Sequence, residues 1–379
     1  MLSRKTIRLI IIIMLLALFF QVWWGYFGPG RELLNDVQEE LISPLPSWPT
    51  ALAKYNVQNT SAQFQELWML DNVYGVGGNE GCNFFALQNK LLFEASFAQN
   101  EWTYLNQVDL ETGDIVWRVP LKPEGPSVLT YDVNTLFYGY GIPGNIIAYD
   151  IESGNQLWER TLSWREKNII SYMQATNDNL YVNSSSLNFQ VFDTSTGTPK
   201  ELAFQTDAFP IFYVDNSVFY HREIDRKILA AELATGHTVW EASFHEPIKI
   251  APLFTEKLII VKTGSLGIGQ VYVLDRSTGE DLWQQPHGAI DWENPANIVG
   301  NVAEHNGYIF YITLNAELLA INAETGEVVG SVQFSPGLNE LDGSDRVNRE
   351  FCIAASDNIV AVYFGSGQQL FSFRFLPDE

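Results

Sequence analysis

Two cysteines, five histidines and two glycine-rich loops are the residues of this chain whose types suit chemistry. Cys82 and Cys352 are too few for a four-cysteine metal site or a disulfide framework, and leave either one bridge or two thiols. His221, His237, His245, His287 and His305 show no i, i+4 pair and no cysteine companion, so zinc-ligand spacing is missing and no metal site is expected. Gly139-Tyr-Gly141-Ile-Pro-Gly144 matches the dinucleotide pattern G-x-G-x-x-G literally. A strand and an Asp-x-x-Ser-Gly turn follow it, not a helix whose N-terminus would face a pyrophosphate, so these glycines read as loop residues. Gly264-Ser-Leu-Gly267-Ile-Gly269 occupies the corresponding loop of a later segment and reads the same way. No catalytic residue and no cofactor is expected from any of these.

The elements that must position side chains are set by a repeat. Six segments end in the same turn: Val108-Asp-Leu-Glu-Thr-Gly113, Tyr149-Asp-Ile-Glu-Ser-Gly154, Phe192-Asp-Thr-Ser-Thr-Gly197, Ala231-Glu-Leu-Ala-Thr-Gly236, Leu274-Asp-Arg-Ser-Thr-Gly279 and Ile321-Asn-Ala-Glu-Thr-Gly326. Their glycines stand 41, 43, 39, 43 and 47 residues apart, the size of a propeller blade. Trp117, Trp158, Trp240 and Trp283 follow four of them at the fourth position, while Glu201 and Gly330 stand there in the other two. Each segment also holds two apolar runs split by a polar turn, which predicts four short antiparallel strands per unit. Asp or Asn at the turn entrance can cap local N–H groups, and glycine accepts the positive φ that such a turn needs. A tryptophan leaving the turn is large enough to bury against a neighbouring sheet. A catalytic device has no reason to recur six times at one period, so these residues read as scaffold.

The pattern A-x-D-x-x-T-G-x-x-x-W resembles the tryptophan-docking repeat of the quinoprotein-like (PQQ-like) β-propeller family, over residues 61–379. The resemblance implies an all-β β-propeller, and the count of units makes it a seven-bladed one. Second strands start at Asn89, Asn134, Asp178, Asn216, Glu256, Asn306 and Asp357, which supports seven; eight blades, common in the family, would need a unit that the repeat does not reveal. The last unit is one strand short, and Phe64-Gln-Glu-Leu-Trp68-Met-Leu70 resembles the missing tryptophan strand. Such an exchange would join the first and last blades and remove an open edge. Cys82 lies seven residues before Asn89 and Cys352 six before Asn358, nearly the same place on the innermost strands of those two blades. A Cys82–Cys352 disulfide is therefore expected, with two buried thiols as the other reading.

Family members include the quinone-dependent alcohol and glucose dehydrogenases and the propeller subunit of the outer-membrane β-barrel assembly machinery. The dehydrogenases carry an adjacent Cys-Cys pair and calcium ligands. This chain has no Cys-Cys, no C-x-x-C-H and no calcium loop, so the resemblance implies a non-enzymatic scaffold. One face of the ring receives the longest loops, which carry Trp164, Arg165, His245, His287, Trp292, Arg346 and Arg349. Aromatic residues and arginine anchor interfaces, so this face is expected to bind a protein partner in the cell envelope. A carbohydrate or small-ligand sensor is the alternative, and a quinone-dependent dehydrogenase the more remote one.

The N-terminus sets the expected compartment. Arg4, Lys5 and Arg8 in residues 1–8 precede the apolar stretch 9–27, which is long enough for one membrane span and ends in Trp23, Trp24 and Tyr26. Bulky residues near its end do not suit signal peptidase, so the segment reads as an uncleaved anchor with the rest of the chain outside the cytoplasm. Residues 28–60, with Pro29, Pro44, Pro46 and Pro49, read as a linker to the propeller at 61–379. The full chain carries 45 Asp and Glu against 22 Lys and Arg, a net charge of −23. Such a surface repels a phosphate backbone, and nucleic acid is excluded as a partner.

Overall fold

The computed structural model describes residues 54–377, apart from 75–81, 98–102, 122–126, 163–168, 177, 185–188, 202–210, 216–217, 224–225, 233, 249–251, 266–267, 286–297, 336–350 and 366. Among the described residues all regular structure is β-strand. Among the described residues no helix is long and apolar enough to cross a membrane, and the apolar stretch 9–27 lies outside them.

Two strands, β1 (Asn56–Thr60) and β2 (Phe64–Asp71), precede the repeats. The Gly113 unit comprises β3 (Phe84–Leu87), β4 (Lys90–Ala95), β5 (Tyr104–Asp109) and β6 (Ile115–Pro120). The Gly154 unit follows with β7 (Ser127–Tyr131), β8 (Thr135–Tyr140), β9 (Asn145–Asp150) and β10 (Gln156–Thr161). The Gly197 unit has β11 (Ile170–Thr176), β12 (Asn179–Ser184), β13 (Phe189–Asp193) and a two-residue β14 (Pro199–Lys200). The Gly236 unit has β15 (Ile211–Val214), β16 (Val218–Glu223), β17 (Lys227–Glu232) and β18 (Thr238–Ser243). In the Gly279 unit stand β19 (Leu253–Phe254), β20 (Leu258–Ser265), β21 (Ile268–Asp275) and β22 (Asp281–Gln285). The Gly326 unit holds β23 (Ile298–His305), β24 (Tyr308–Thr313), β25 (Glu317–Asn322) and β26 (Val328–Ser335). Last come β27 (Phe351–Ser356), β28 (Ile359–Phe364) and β29 (Gln369–Phe375).

Within each unit neighbouring strands pair antiparallel in chain order. The Gly279 and Gly326 units fuse into one nine-stranded sheet, because Ile268 and Gly269 pair with Val299 and Ile298. The C-terminal unit takes its outer strand from the other end of the body: β2 pairs with β29, from Phe64 opposite Phe375 to Asp71 opposite Gln369.

The second strand of a unit is buried on both faces, and its alternation assigns side chains to two different neighbours. Leu91 and Phe93 of β4 pack with Cys352, Ala361 and Tyr363 of the C-terminal unit, whereas Leu92 packs with Leu129 and Tyr138 of the Gly154 unit. Apolar clusters of this kind join neighbouring units among the described residues, all but the Gly197 and Gly236 pair, and return from the C-terminal unit to the Gly113 unit. Amide side chains add a second link between inner strands. Asn301 accepts from Ile353 N at 2.8 Å and donates to Ile353 O at 2.9 Å. Gln174 holds Val214 in the same way. Cys82 and Cys352 are disulfide-bonded with Cα atoms 5.5 Å apart.

One boundary differs from the sequence reading. Residues 56–60, read there as linker, form β1, which pairs with β26 as a fifth strand. Tyr55 is 1% exposed, stacks on Phe364 at 4.4 Å between ring centroids, and its N–H donates to Gln369 Oε1 at 2.7 Å. Gly330 explains the crossing from β1 to β2, since a Cβ there would stand 3.1 Å from Gln63 Cβ and 3.2 Å from Phe64 Cε2. The missing tryptophan at this repeat position makes room for the chain.

Candidate functional site

Of the seven residues expected on the binding face, Trp164, Arg165, His287, Trp292, Arg346 and Arg349 lie outside the described residues. His245 is described and exposed. It follows β18, just before Pro247, whose carbonyl accepts from Gly264 N at 2.8 Å, and Ile248, which bridges to Thr263. These backbone contacts place His245 near the loop end of β20.

The repeated residues form a second kind of site, made five times over. The turn acid comes first: Asp109 Oδ1 accepts from Glu111 N and Thr112 N, and the same bonds recur at Asp193, Asp275 and Asn322. Gly113 then takes φ 78°, which bends the chain back into the outer strand. One residue before each tryptophan the outer strand bulges, as at Leu157 between Gln156 and Trp158. The bulge turns the indole toward the next unit, where it lies on that unit's turn glycine. Trp68 covers Gly113, Trp117 covers Gly154, Trp158 covers Gly197, Trp240 covers Gly279 and Trp283 covers Gly326; a Cβ on any of these glycines would meet the ring at 2.5 to 3.1 Å. Each indole N–H donates to the carbonyl just after the turn acid or amide: Leu110, Ile151, Thr194, Arg276 and Ala323, at 2.8 to 3.2 Å. Gly236 differs, being exposed and having nothing within 4 Å of a built Cβ.

A cavity of about 570 Å³ lies between strands β15 and β16 of the Gly236 unit and the glycine turn of the Gly279 unit, lined in part by Tyr213, Asp215, Tyr220, Lys257 and Arg276. Its origin is a substitution in the repeat. Where Leu110, Ile151 and Ala323 stand buried, this turn carries Arg276. The guanidinium lies 5.0 Å over the Tyr213 ring and 5.5 Å from that of Tyr220, pairs with Asp215, and donates to Tyr220 Oη at 3.2 Å and Thr255 O at 2.6 Å. Its hydrogen-bonding partners and its π-stacking leave it a structural cation bridging two units. The Ser277 hydroxyl and nearby backbone N–H groups hold the Asp275 carboxyl below the usual carboxylate range.

Two titratable groups, one buried and one half-buried, escaped the sequence reading. Lys262 on β20 is 5% exposed, and burial pulls its ammonium down to about 7. Glu94 on β4 is pushed up by burial, against the pull of Ser127 Oγ donating at 2.6 Å and Asn83 Nδ2 at 3.2 Å. Each interrupts an otherwise apolar strand, Leu-Ile-Ile-Val-Lys262 and Leu-Leu-Phe-Glu94, and that interruption is the signal available in the sequence. Among the described residues no three His, Cys, Asp or Glu side chains gather as metal ligands.

The comparison with solved structures finds BamB from Moraxella catarrhalis, 13% identical, covering 82% of this chain and 100% of that one, with a TM-score of 0.48. The computationally designed Ika8 protein is similar to the same degree, 13% identical, covering 81% of this chain and all of its own, with a TM-score of 0.48. No curated protein matches. The family model described as outer membrane protein assembly factor BamB matches residues 103–200 and 204–374, well over half of the chain and every one of the six glycine turns. On that match the chain belongs to this family of PQQ-like repeat proteins.

Proposed function

We propose that this chain is a seven-bladed propeller, anchored by residues 9–27 with its body outside the cytoplasm, that acts as a protein-binding scaffold in envelope assembly. The observation that carries the reading is the match to a family described as an assembly factor. The spending of the repeated residues agrees with it: the turn acids, glycines and tryptophans are consumed in docking one unit on the next, which leaves them no part in a reaction. The long loops with Trp164, Arg165, His287, Trp292, Arg346 and Arg349 supply the partner face, beside His245.

Three arms test this. Alkaline phosphatase fused after Glu379 is expected to be active and membrane-bound; an inactive fusion refutes the topology. Crosslinking in intact cells, followed by purification of the full chain in detergent, is expected to retain one envelope protein in stoichiometric amount, and recovery of the chain alone counts against a scaffold. Added quinone and calcium are expected to leave the absorbance of the purified protein unchanged, and a new visible band would favour the dehydrogenase reading.

A further inference from the structure

The C-terminal and Gly113 units are fastened at both ends of their inner strands, and the two fastenings differ in kind. At one end stands the disulfide, from Cys82 just before β3 to Cys352 near the start of β27. At the other end β3 and β27 run into two-residue turns, Gln88-Asn89 and Asp357-Asn358. All four turn residues are left-handed, with φ from 48° to 61°, a backbone that residues other than glycine keep only where their surroundings hold it. Hydrogen bonds supply the hold. Asn89 N–H donates to Asp357 Oδ2 at 2.7 Å, which also accepts from Ser356 Oγ at 3.1 Å, and Asp357 N–H donates to His305 Nε2 at 3.0 Å. His305 ends β23, beside the Asn306-Gly307 turn of the preceding unit. One line of bonds therefore ties the turns of the Gly326, C-terminal and Gly113 units together. The β7–β8 and β19–β20 turns contrast with it, because Asp132 Oδ1 and Thr255 Oγ1 accept from N–H groups of their own turns.

The bond to His305 fixes the state of its ring. A backbone N–H can only donate, so Nε2 must offer a lone pair, and the imidazole that makes this bond is neutral with its proton on Nδ1. Histidine is the side chain that changes charge between about pH 5 and 8, and His305 is only half-buried, within reach of a proton from solvent. A second proton on Nε2 sets two donors face to face. We propose that His305 is a pH-sensitive latch on the seam between the last and first units: the neutral ring holds the Asp357 amide, and the protonated ring releases it together with the left-handed turns behind it. The Cys82–Cys352 bridge and the pairing of β2 with β29 keep the two units joined meanwhile, so the opening is local. The charged and titratable groups around the ring are mostly acids. Its own hairpin carries Glu304 and Tyr308, and the glycine turn bonded to Gly307 O through Ala323 N carries Glu324. The C-terminal unit brings Asp357 and, beside the Phe375 that meets Tyr308, Arg374, while the corresponding turn of the Gly279 unit carries Glu256 and Lys257. The imidazolium has an acceptor in the Asp357 carboxylate, the same group that holds Asn89 N–H, so protonation loosens the second link of the line as well as the first.

Hydrogen exchange of the full chain in detergent tests this, read residue by residue and expressed as protection relative to an unstructured peptide at the same pH. Between about pH 8 and about pH 5 the Asp357 amide is expected to lose protection about tenfold or more, and the Asn89 amide to follow it. Gly279 N–H, which donates to Asp275 O at 2.8 Å away from the seam, is expected to keep its protection over the same range. His305→Gln offers an amide oxygen that accepts without titrating, and is expected to hold the Asp357 amide at both pH values. His305→Phe has no acceptor, and is expected to leave that amide exchanging fast at both. Protection of the parent's Asp357 amide that does not change with pH overturns the latch. So does an equal fall at Gly279, which would mark a loosening of the whole body, or a fall at Asp357 that persists in His305→Gln.

Discussion

The indole of Trp68 lies across Gly113 and donates to Leu110 O at 2.8 Å, so a residue near the start of the body seals the turn of the first complete repeat from within the last unit. Ser372 Oγ on the neighbouring strand donates to the same carbonyl at 2.8 Å. Both ends of the body therefore converge on one backbone oxygen. Trp68→Ala is expected to cost about 3 kcal/mol, through lost packing and an unmet acceptor, and Trp68→Phe about 1 to 2 kcal/mol, through the lost N–H and the smaller ring. Urea unfolding of the two variants beside the parent separates these contributions; equal midpoints for parent and alanine variant would contradict the sealing role.

The N-terminal limit of the body is expected at Tyr55. Removing residues 1–52 should leave a folded protein with the parent's melting temperature, since it keeps Lys54 paired with Asp71 and Tyr55 stacked on Phe364. Removing residues 1–60 deletes Tyr55 from its place against Phe364 and strips β1 from β26, and a fall of several degrees is expected. Differential scanning calorimetry of the two truncations decides this, and coincident melts would show that β1 is dispensable.

Thiol titration of unfolded, unreduced protein from its own envelope is expected to find no free cysteine. The Cys82–Cys352 bridge spans 270 residues of sequence, for which chain entropy allows a stabilisation on the order of 5 kcal/mol as an upper figure. Reduction is therefore expected to lower the melting temperature without unfolding the protein at room temperature, because β2 still closes the C-terminal unit. Two reactive thiols in the untreated protein would remove the bridge from consideration.

Glu94 and Lys262 give opposite pH signatures. The folded state raises Glu94 above 4.5, so the folded chain binds the extra proton and stability falls as pH rises from about 4.5 through the raised value. Glu94→Gln is expected to equal the parent near pH 4 and to exceed it at pH 8. Lys262 falls from 10.5 to about 7, so between those values the unfolded chain binds the extra proton and stability rises with pH. Lys262→Met is expected to exceed the parent most at pH 7 or below, with the difference shrinking toward pH 10. Denaturant midpoints of parent and variants across this range check both signs, and pH-independent differences would contradict both assignments.

Much of the fold was legible because the repeat imposes one arrangement many times. The glycine turns, the tryptophans and the borrowed strand Phe64–Asp71 all follow from spacing. Strand β1 was not legible: Asn56-Val-Gln-Asn-Thr60 is polar and too short to alternate, and it is held by backbone pairing to β26. The cavity at Arg276 hides within a conserved-looking turn, where a single arginine among Leu110, Ile151 and Ala323 is the whole signal. The long loops on the expected partner face carry no period, which is why composition alone could nominate their residues.

The pairing of β2 with β29 also fixes an order of events. A ribosome makes Phe64 near the start of the body and Phe375 near its end, and these two residues are neighbours across the same pair of strands. The borrowed strand must wait, unpaired, through the synthesis of every repeat between them. The long sequence separation of that contact makes ring completion a late and slow step, and the waiting edge is the part of the nascent chain most in need of a chaperone.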